Sequence, residues 1–467
     1  MNLNSVVRIQ EIEIENFKNV LNGVITFESY KKKDFFQDSH NCDIVGLYGQ
    51  NGSGKTSLVE AIDILKSVLL GQKLSNNIRN LISYDKKYCG LKFTFLIKID
   101  KNKYIVKYGF KLTYNAEEDK IEVLEETLKY SEIDVVNKKI LSTKSIIEFN
   151  MNDKTIFKPL KNYNLIVNNN SINKTELIVA KELAKENSTS FIFSKRCIKL
   201  FKESFENENK VFIDIINSLC NFGLKSFVIK NNYLGHIDLG TIMPFSFLVK
   251  SEKGVAQGTI AFSLFETNRV PINIFNILDE IIIQINTVLS SLIPGLTIET
   301  KEINEELMEN GNVGKVFELL SVRENIKIPL KYESDGIKKI ISILSALIAM
   351  YNNEKICVVI DEMDSGIFEF LLGELLGVLK EKAKGQLIFT SHNLRALEVL
   401  DKNDIIFTTT NPNNRYIKMK NVKKTNNLRD FYLREIFLGD QNEPIYNKTK
   451  SYAISRAFRK AGNYEQK

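Results

Sequence analysis

Ile44-Val45-Gly46-Leu47-Tyr48-Gly49-Gln50-Asn51-Gly52-Ser53-Gly54-Lys55-Thr56, continuing Ser57-Leu58-Val59-Glu60-Ala61-Ile62-Asp63-Ile64-Leu65-Lys66, decides how this chain of 467 residues is read. An apolar run enters a glycine-rich turn, and Leu58, Ala61, Ile62 and Leu65 then recur at helical spacing. Strand, turn and helix in that order are the setting in which G-x-x-x-x-G-K-[ST] holds phosphate. Gly49, Gly52 and Gly54 let the backbone curl so that successive N–H groups face an anion, and the helix adds its positive amino end. Lys55 neutralises the β- and γ-phosphates on this reading, and the Thr56 hydroxyl holds Mg²⁺. The nucleotide-binding residues are then Asn51, Gly52, Ser53, Gly54, Lys55, Thr56 and Ser57.

Upstream, Val7, Ile9, Ile12, Ile14 and Phe17 alternate with charges as a strand, and Val24–Phe27 is a second one. Lys31-Lys32-Lys33 marks an exposed loop. Downstream, 91–100, 104–114 and 121–130 read as an antiparallel meander with Asp and Asn at its turns. Residues 135–175 are polar and Asn-rich, and are expected to be irregular strand and loop. Helical patterning runs from Thr175 to about Leu224, broken near Asn187-Ser188 and Asn207-Glu208-Asn209, and again over 272–292 before Pro294-Gly295. Heptads never persist, so no long coiled coil is expected.

Further on, strands at 316–322 and 326–331 lead into Glu333-Ser334-Asp335-Gly336 and a helix over 337–350. Ile356-Cys357-Val358-Val359-Ile360 and Gln386-Leu387-Ile388-Phe389-Thr390 are continuous apolar runs, as in the centre of a parallel sheet. One ends in Asp361-Glu362 and the other in Ser391-His392-Asn393, which puts polar groups at the sheet's carboxyl edge, where α/β sites form. Asp361 suits the Mg²⁺-side carboxylate, Glu362 the group that deprotonates water, and His392 a sensor of the γ-phosphate. Ser334 reads two ways: as a plain helix N-cap, or, with Gly336, as a γ-phosphate donor toward nucleotide held by a second copy.

Composition narrows the class. The 43% hydrophobic content supports two to four packing units. No run long enough to span a bilayer is found, and Met1–Asn22 is charged and alternating, unlike a secretory signal. Five scattered cysteines without a C-x-x-C argue for a reducing compartment and against a zinc site. A cytoplasmic, soluble protein is expected. The +7 net charge from 64 basic and 57 acidic residues fits a Lys-rich surface better than a dedicated nucleic-acid face.

The order of these pieces resembles an ABC-type ATPase head over residues 6–440, starting from a strand that ends in Asn16-Phe17-Lys18-Asn19. Within that superfamily the chain is similar to the OLD-like ATPases of bacterial anti-phage and abortive-infection systems, including the PARIS and AbiL types, and more distantly to SMC- and RecF-like heads. Leu428–Leu433 with Leu438-Gly439 is similar to the family's closing segment. The resemblance implies an α/β P-loop NTPase with an antiparallel β-subdomain and a mostly helical insertion. Its implied parts are 1–130 (phosphate loop and β-subdomain), 131–300 (insertion), 301–425 (signature, Walker B, switch histidine) and 426–467 (basic tail). It implies ATP and Mg²⁺ as ligands, with Lys18 and Asn19 beside the nucleotide. Thr56 and Asp361 would hold metal, Glu362, His392 and Lys55 would be catalytic, and Ser334 and Gly336 would act across an ATP-sandwiched homodimer or higher even oligomer. The signature departs from Leu-Ser-Gly-Gly, and Gln257 and Gln284 are poor Q-loop candidates. The 75 residues after His392 are too few for a Toprim nuclease, so a nuclease effector is expected as a separate polypeptide. Two rival expectations stand beside this: a RecF/SMC-like DNA repair or recombination ATPase, and an ATP-gated scaffold with negligible turnover. No membrane association is expected.

Overall fold

The computed structural model describes residues 4–27, 43–169, 171–206, 209–230, 242–251, 254–308, 311–420, 427–438 and 441–462. The Lys31–Lys33 loop, Asn207 and Glu208 of the expected break, and Gly439 of the closing segment lie outside them. The chain opens with β1 (Ser5–Phe17), β2 (Val20–Thr26), β3 (Asp43–Tyr48) and α1 (Lys55–Leu69). A meander follows, made of β4 (Tyr88–Ile99), β5 (Asn102–Asn115), β6 (Lys120–Asp134), β7 (Lys139–Ile140), β8 (Lys144–Asn150) and β9 (Phe157–Lys158). Helices α2 (Leu160–Asn169), α3 (Ser171–Glu186), α4 (Lys195–Phe205) and α5 (Lys210–Leu224) precede β10 (Ser226–Ile229). Next come β11 (Ile242–Ser251), β12 (Gly254–Ser263), β13 (Asn268–Pro271), α6 (Ile272–Leu292), β14 (Leu296–Leu307), β15 (Val313–Arg323) and β16 (Ile326–Pro329). The rest alternates as α7 (Asp335–Asn352), β17 (Cys357–Ile360), α8 (Glu369–Lys382), β18 (Gln386–Thr390), α9 (Ala396–Val399), β19 (Ile405–Thr408) and β20 (Tyr416–Ile417), then α10 (Leu428–Leu438) and α11 (Ser451–Gly462).

The central sheet has the order β10-β17-β18-β3-β19-β20, parallel except for β20. Its strands are mostly apolar because both faces are covered, with polar residues near their ends. Successive side chains point to opposite faces, and the two cores divide them accordingly. Val45, Leu47, Cys357, Val359, Ile388 and Ile406 pack against α1, α5 and the inner face of the antiparallel sheet. Ile44, Tyr48, Val358, Ile360, Leu387, Phe389, Ile405 and Phe407 pack against α6, α7 and α8. The antiparallel sheet runs β2-β1-β4-β5-β6-β8-β9, with β7 on β6. So the expected meander is present, and β10, from within the stretch expected as an insertion, pairs with β17 in the central sheet.

Two expectations are corrected. Within 135–175, expected as irregular strand and loop, residues 160–169 and 171–174 form α2 and the start of α3, while 144–150 are the strand β8. The Asn-rich composition hides an amphipathic face: Ile166 and Leu177 are fully buried, and Asn162 donates to the carbonyls of Ser145 (3.2 Å) and Ile146 (2.8 Å). Strands also stand between the helices of 131–300, including the β11–β12 hairpin, whose register brings Phe245 opposite Ile260. The second correction concerns α6, which at 21 residues is long and apolar enough to cross a membrane, although no such run was expected. Its Phe275, Leu278, Ile282, Ile285 and Leu289 are buried in the second core. Among the described residues no helix is longer, in keeping with the absence of a long coiled coil.

The two sheets are joined by a polar contact inside the first core. Gln386, fully buried, accepts from Ile9 N–H at 3.0 Å and donates to Ile9 C=O at 2.9 Å, at the bulge where β1 shifts register on β4. Its amide stands in for a missing strand, satisfying two buried backbone groups that would otherwise be orphaned. Replacing it by leucine (Q386L) should destabilise the chain by about 2–4 kcal/mol, from two unsatisfied buried groups. A lowered apparent melting temperature checks this; an unchanged one contradicts it.

Candidate functional site

The phosphate loop leaves β3 at Tyr48 and turns through Gly49, Gly52 and Gly54, whose φ values are +154°, +74° and +91°. At Gly49 a Cβ would lie 1.8 Å from Thr408 Oγ1, so β19 closes against the loop only because no side chain is there. Gly54 is the left-handed N-cap of α1 and supplies no side-chain cap, which leaves the helix's first N–H groups directed into the loop. Ser53 Oγ donates to Gln50 C=O at 2.6 Å, and Tyr416 Oη donates to Gly54 C=O at 2.8 Å. Arg415 donates to the carbonyls of Thr409 and Asn19, and Asn19 Nδ2 donates to Gly52 C=O. Asn19 therefore fastens the loop from the β1–β2 turn, and its Oδ1 accepts from Ser57 Oγ at 3.5 Å. Lys18 is paired with Glu60 of α1 at 2.9 Å. Asn51 and Gly52 are exposed at the mouth.

Lys55 folds back along its own loop, with Nζ donating to Gly49 C=O at 2.8 Å and Gln50 C=O at 3.0 Å. Burial draws its pKa down to about 8, against the pull of the Asp361, Glu362 and Asp364 carboxylates. Those carboxylates leave β17 at the carboxyl edge. Asp361 Oδ1 accepts from Thr390 Oγ1 at 2.6 Å and lies 3.5 Å from Thr56 Oγ1, a meeting of residues 305 positions apart. Thr56 and Asp361 form a hard-oxygen pair of the kind Mg²⁺ uses, with phosphate and water completing its shell. Among the described residues no cluster of three His, Cys, Asp or Glu side chains forms a metal cage. Glu362 is exposed, at φ +46°, and its N–H donates to Thr390 Oγ1 at 2.7 Å. His392 follows β18; its N–H donates to Asp364 Oδ2 at 2.9 Å. Burial, then the Lys55 charge, lowers its pKa, so the imidazole is neutral at pH 7.

Ser334 caps α7, its Oγ accepting from Ile337 N–H at 3.4 Å. A Cβ on Gly336 would sit 1.9 Å from Gly366 C=O, so glycine here has a reason within its own chain: α7 rests backbone-to-backbone on the turn after Glu362. Ser334 and Asp335 remain exposed at the amino end of that helix. Sequence reasoning missed Thr390, Asp364, Arg415, Tyr416 and Lys339. Two of these left signals: a threonine at the end of an apolar strand, and lysines inside an apolar helix face.

The fold is a P-loop nucleotide-binding fold. Residues 44–179 match the family model described as AAA domain, putative AbiEii toxin, Type IV TA system. No curated protein matches the chain. Among solved structures, a SMC head bound to the C-winged helix domain of ScpA is 13% identical with a TM-score of 0.40, covering 88% of this chain and 97% of that one. The recombination mediator RecF with ATP is 14% identical with a TM-score of 0.34, over 83% and 94%. The SMC head domain from Thermotoga maritima is 13% identical with a TM-score of 0.32, over 88% and 99%. Overlays this loose carry no functional argument.

Lys55 faces Asp361, Glu362 and Asp364, with neutral His392 beside it. Below pH 8 it is charged and ready for phosphate; above pH 8 binding must first return a proton to it. ATP affinity should therefore be flat below pH 8 and fall up to tenfold per unit above it, with proton uptake on binding. Calorimetry in buffers of differing ionisation enthalpy reads both; pH-independent affinity would contradict the assignment.

Proposed function

We propose that this chain is a Mg²⁺-dependent ATPase of the ABC type whose ATP-bound heads pair and which controls a separate effector protein, a nuclease, in anti-phage defence. The observation that carries it is the convergence of Lys55, Thr56, Asp361, Glu362 and His392 on one sheet edge. The loop N–H groups and the open amino end of α1 receive the phosphates, and Lys55 balances their charge. Thr56 and Asp361 hold Mg²⁺, which when bound neutralises developing charge on the phosphate oxygens. Glu362 takes the proton of the attacking water, while neutral His392 offers an N–H to the γ-phosphate. The exposed amino end of α7 at Ser334 supports a role toward nucleotide in a second copy. The family description, with its toxin and toxin–antitoxin vocabulary, supports the defence setting.

A second reading, an ATPase acting on DNA, is favoured by α11. All of its described residues are exposed, and Arg456, Arg459 and Lys460 accompany Tyr452 and Phe458 on it. It requires DNA binding with a steep salt slope and DNA-stimulated hydrolysis.

Lys55→Ala should abolish ATP binding in calorimetry. Glu362→Gln should keep ATP while phosphate release falls about 100-fold or more; wild-type turnover in that variant would reassign the base. Ser334→Arg should prevent ATP-dependent pairing in light scattering, and normal pairing would remove the proposed role in trans.

A further inference from the structure

Lys338 and Lys339 interrupt the apolar face of α7, and both are buried, at 5% and 1% exposure. Lysine is almost never hidden so deeply without a partner, because taking an ammonium out of water costs several kcal/mol. Lys338 turns back to Asp335, 2.9 Å away. Lys339 crosses to the sheet edge, where its Nζ donates to the main-chain carbonyl of Asp361 at 3.0 Å. Burial draws its pKa down to about 8, and the Asp361, Glu362 and Asp364 carboxylates oppose that.

The carbonyl of Asp361 and the N–H of Glu362 are the two poles of one peptide group. The first accepts from Lys339; the second donates to Thr390 Oγ1 at 2.7 Å. A peptide group is planar, so holding both poles fixes the plane from which Glu362 hangs. On its far side, Met363 N–H donates to Thr390 C=O at 2.9 Å. Glu362 needs this support, because its φ of +46° is left-handed. A non-glycine residue there costs about 1–3 kcal/mol and persists only where its surroundings over-determine it.

We propose that Lys339 is a positioning residue: it clamps the Asp361–Glu362 peptide, aims the Glu362 carboxylate, and passes to it any movement of α7, whose amino end carries Ser334 and rests on Gly366. The inference rests on the hydrolytic role of Glu362 given above. Through the contact with this peptide group, its loss acts on Glu362.

The test compares ATP binding, melting temperature and steady-state hydrolysis in wild type, Lys339→Met, Lys339→Arg, Glu362→Gln and the Lys339→Met/Glu362→Gln double variant. Lys339→Met should lower kcat 10- to 100-fold with ATP affinity within about threefold, the size of effect a small misplacement of a catalytic group produces. Lys339→Arg should recover part of the loss. In the Glu362→Gln background, Lys339→Met should change the residual rate less than about twofold, because both changes act on one group. Wild-type kcat in Lys339→Met, or an equal loss in both backgrounds, would overturn the proposal. Should Lys339→Met misfold, Lys339→Gln, uncharged and one atom too short to span to the Asp361 carbonyl, carries the same comparison. A wild-type chain that binds ATP without hydrolysing it would overturn the ATPase reading and this inference together; that rate, measured first, tells the two failures apart.

Discussion

One hydroxyl holds the site together. Thr390 Oγ1, fully buried at the end of β18, donates to Asp361 Oδ1 at 2.6 Å and accepts from Glu362 N–H at 2.7 Å. A hydroxyl has one proton to give and lone pairs to receive with, so a single side chain sets the direction of one carboxylate and the backbone of the next. With Oδ1 anchored, Asp361 meets Thr56 across the edge of the sheet. The distance between β17 and the phosphate loop is fixed by β18, which stands between β17 and β3.

That edge exists because the central sheet is buried on both faces. Its strands divide their side chains between two apolar cores, and a charged group within either would lose its hydration without recompense. Polar chemistry therefore collects where the strands end. Two of the exceptions inside are paired: Gln386 with the backbone of Ile9, and Glu126 in the antiparallel sheet. Glu126, fully buried, accepts from Tyr108 Oη (2.6 Å), Ser190 Oγ (2.5 Å), Phe191 N–H (2.7 Å) and Ile192 N–H (3.3 Å). Burial raises its pKa while those donors act to lower it. In this way one carboxylate fastens the turn between α3 and α4 to β6.

Much of this was legible because the signals are local. The glycines of the phosphate loop stand within six positions of one another, and the apolar runs that end in Asp361-Glu362 and His392 announce parallel strands by composition alone. The meander of β4, β5 and β6 showed through alternation and turn residues. What failed to show was structure whose apolar face is sparse or whose contacts are distant. Helix α2 is polar enough to pass for loop, and is held by Asn162 reaching back to β8. Lys18 gave no sign that it would pair with Glu60 on α1. Gly336 pointed to a ligand, yet its nearest neighbour is a backbone carbonyl, Gly366 C=O, thirty positions on.

By itself the sequence determined a nucleotide-binding strand–loop–helix, the apolar strands of a doubly covered sheet, and the acidic pair at the end of one of them. These follow from short-range patterning, which needs only the periods of helix and strand and the freedom of glycine. The tertiary structure alone decided which polar groups meet: Thr390 with Asp361, Lys339 with the Asp361 carbonyl, Arg415 and Tyr416 with the loop. Hydrogen bonds are made over about 3 Å between atoms that pairing of strands brings together, and that pairing is set by packing across hundreds of positions, which no local pattern records.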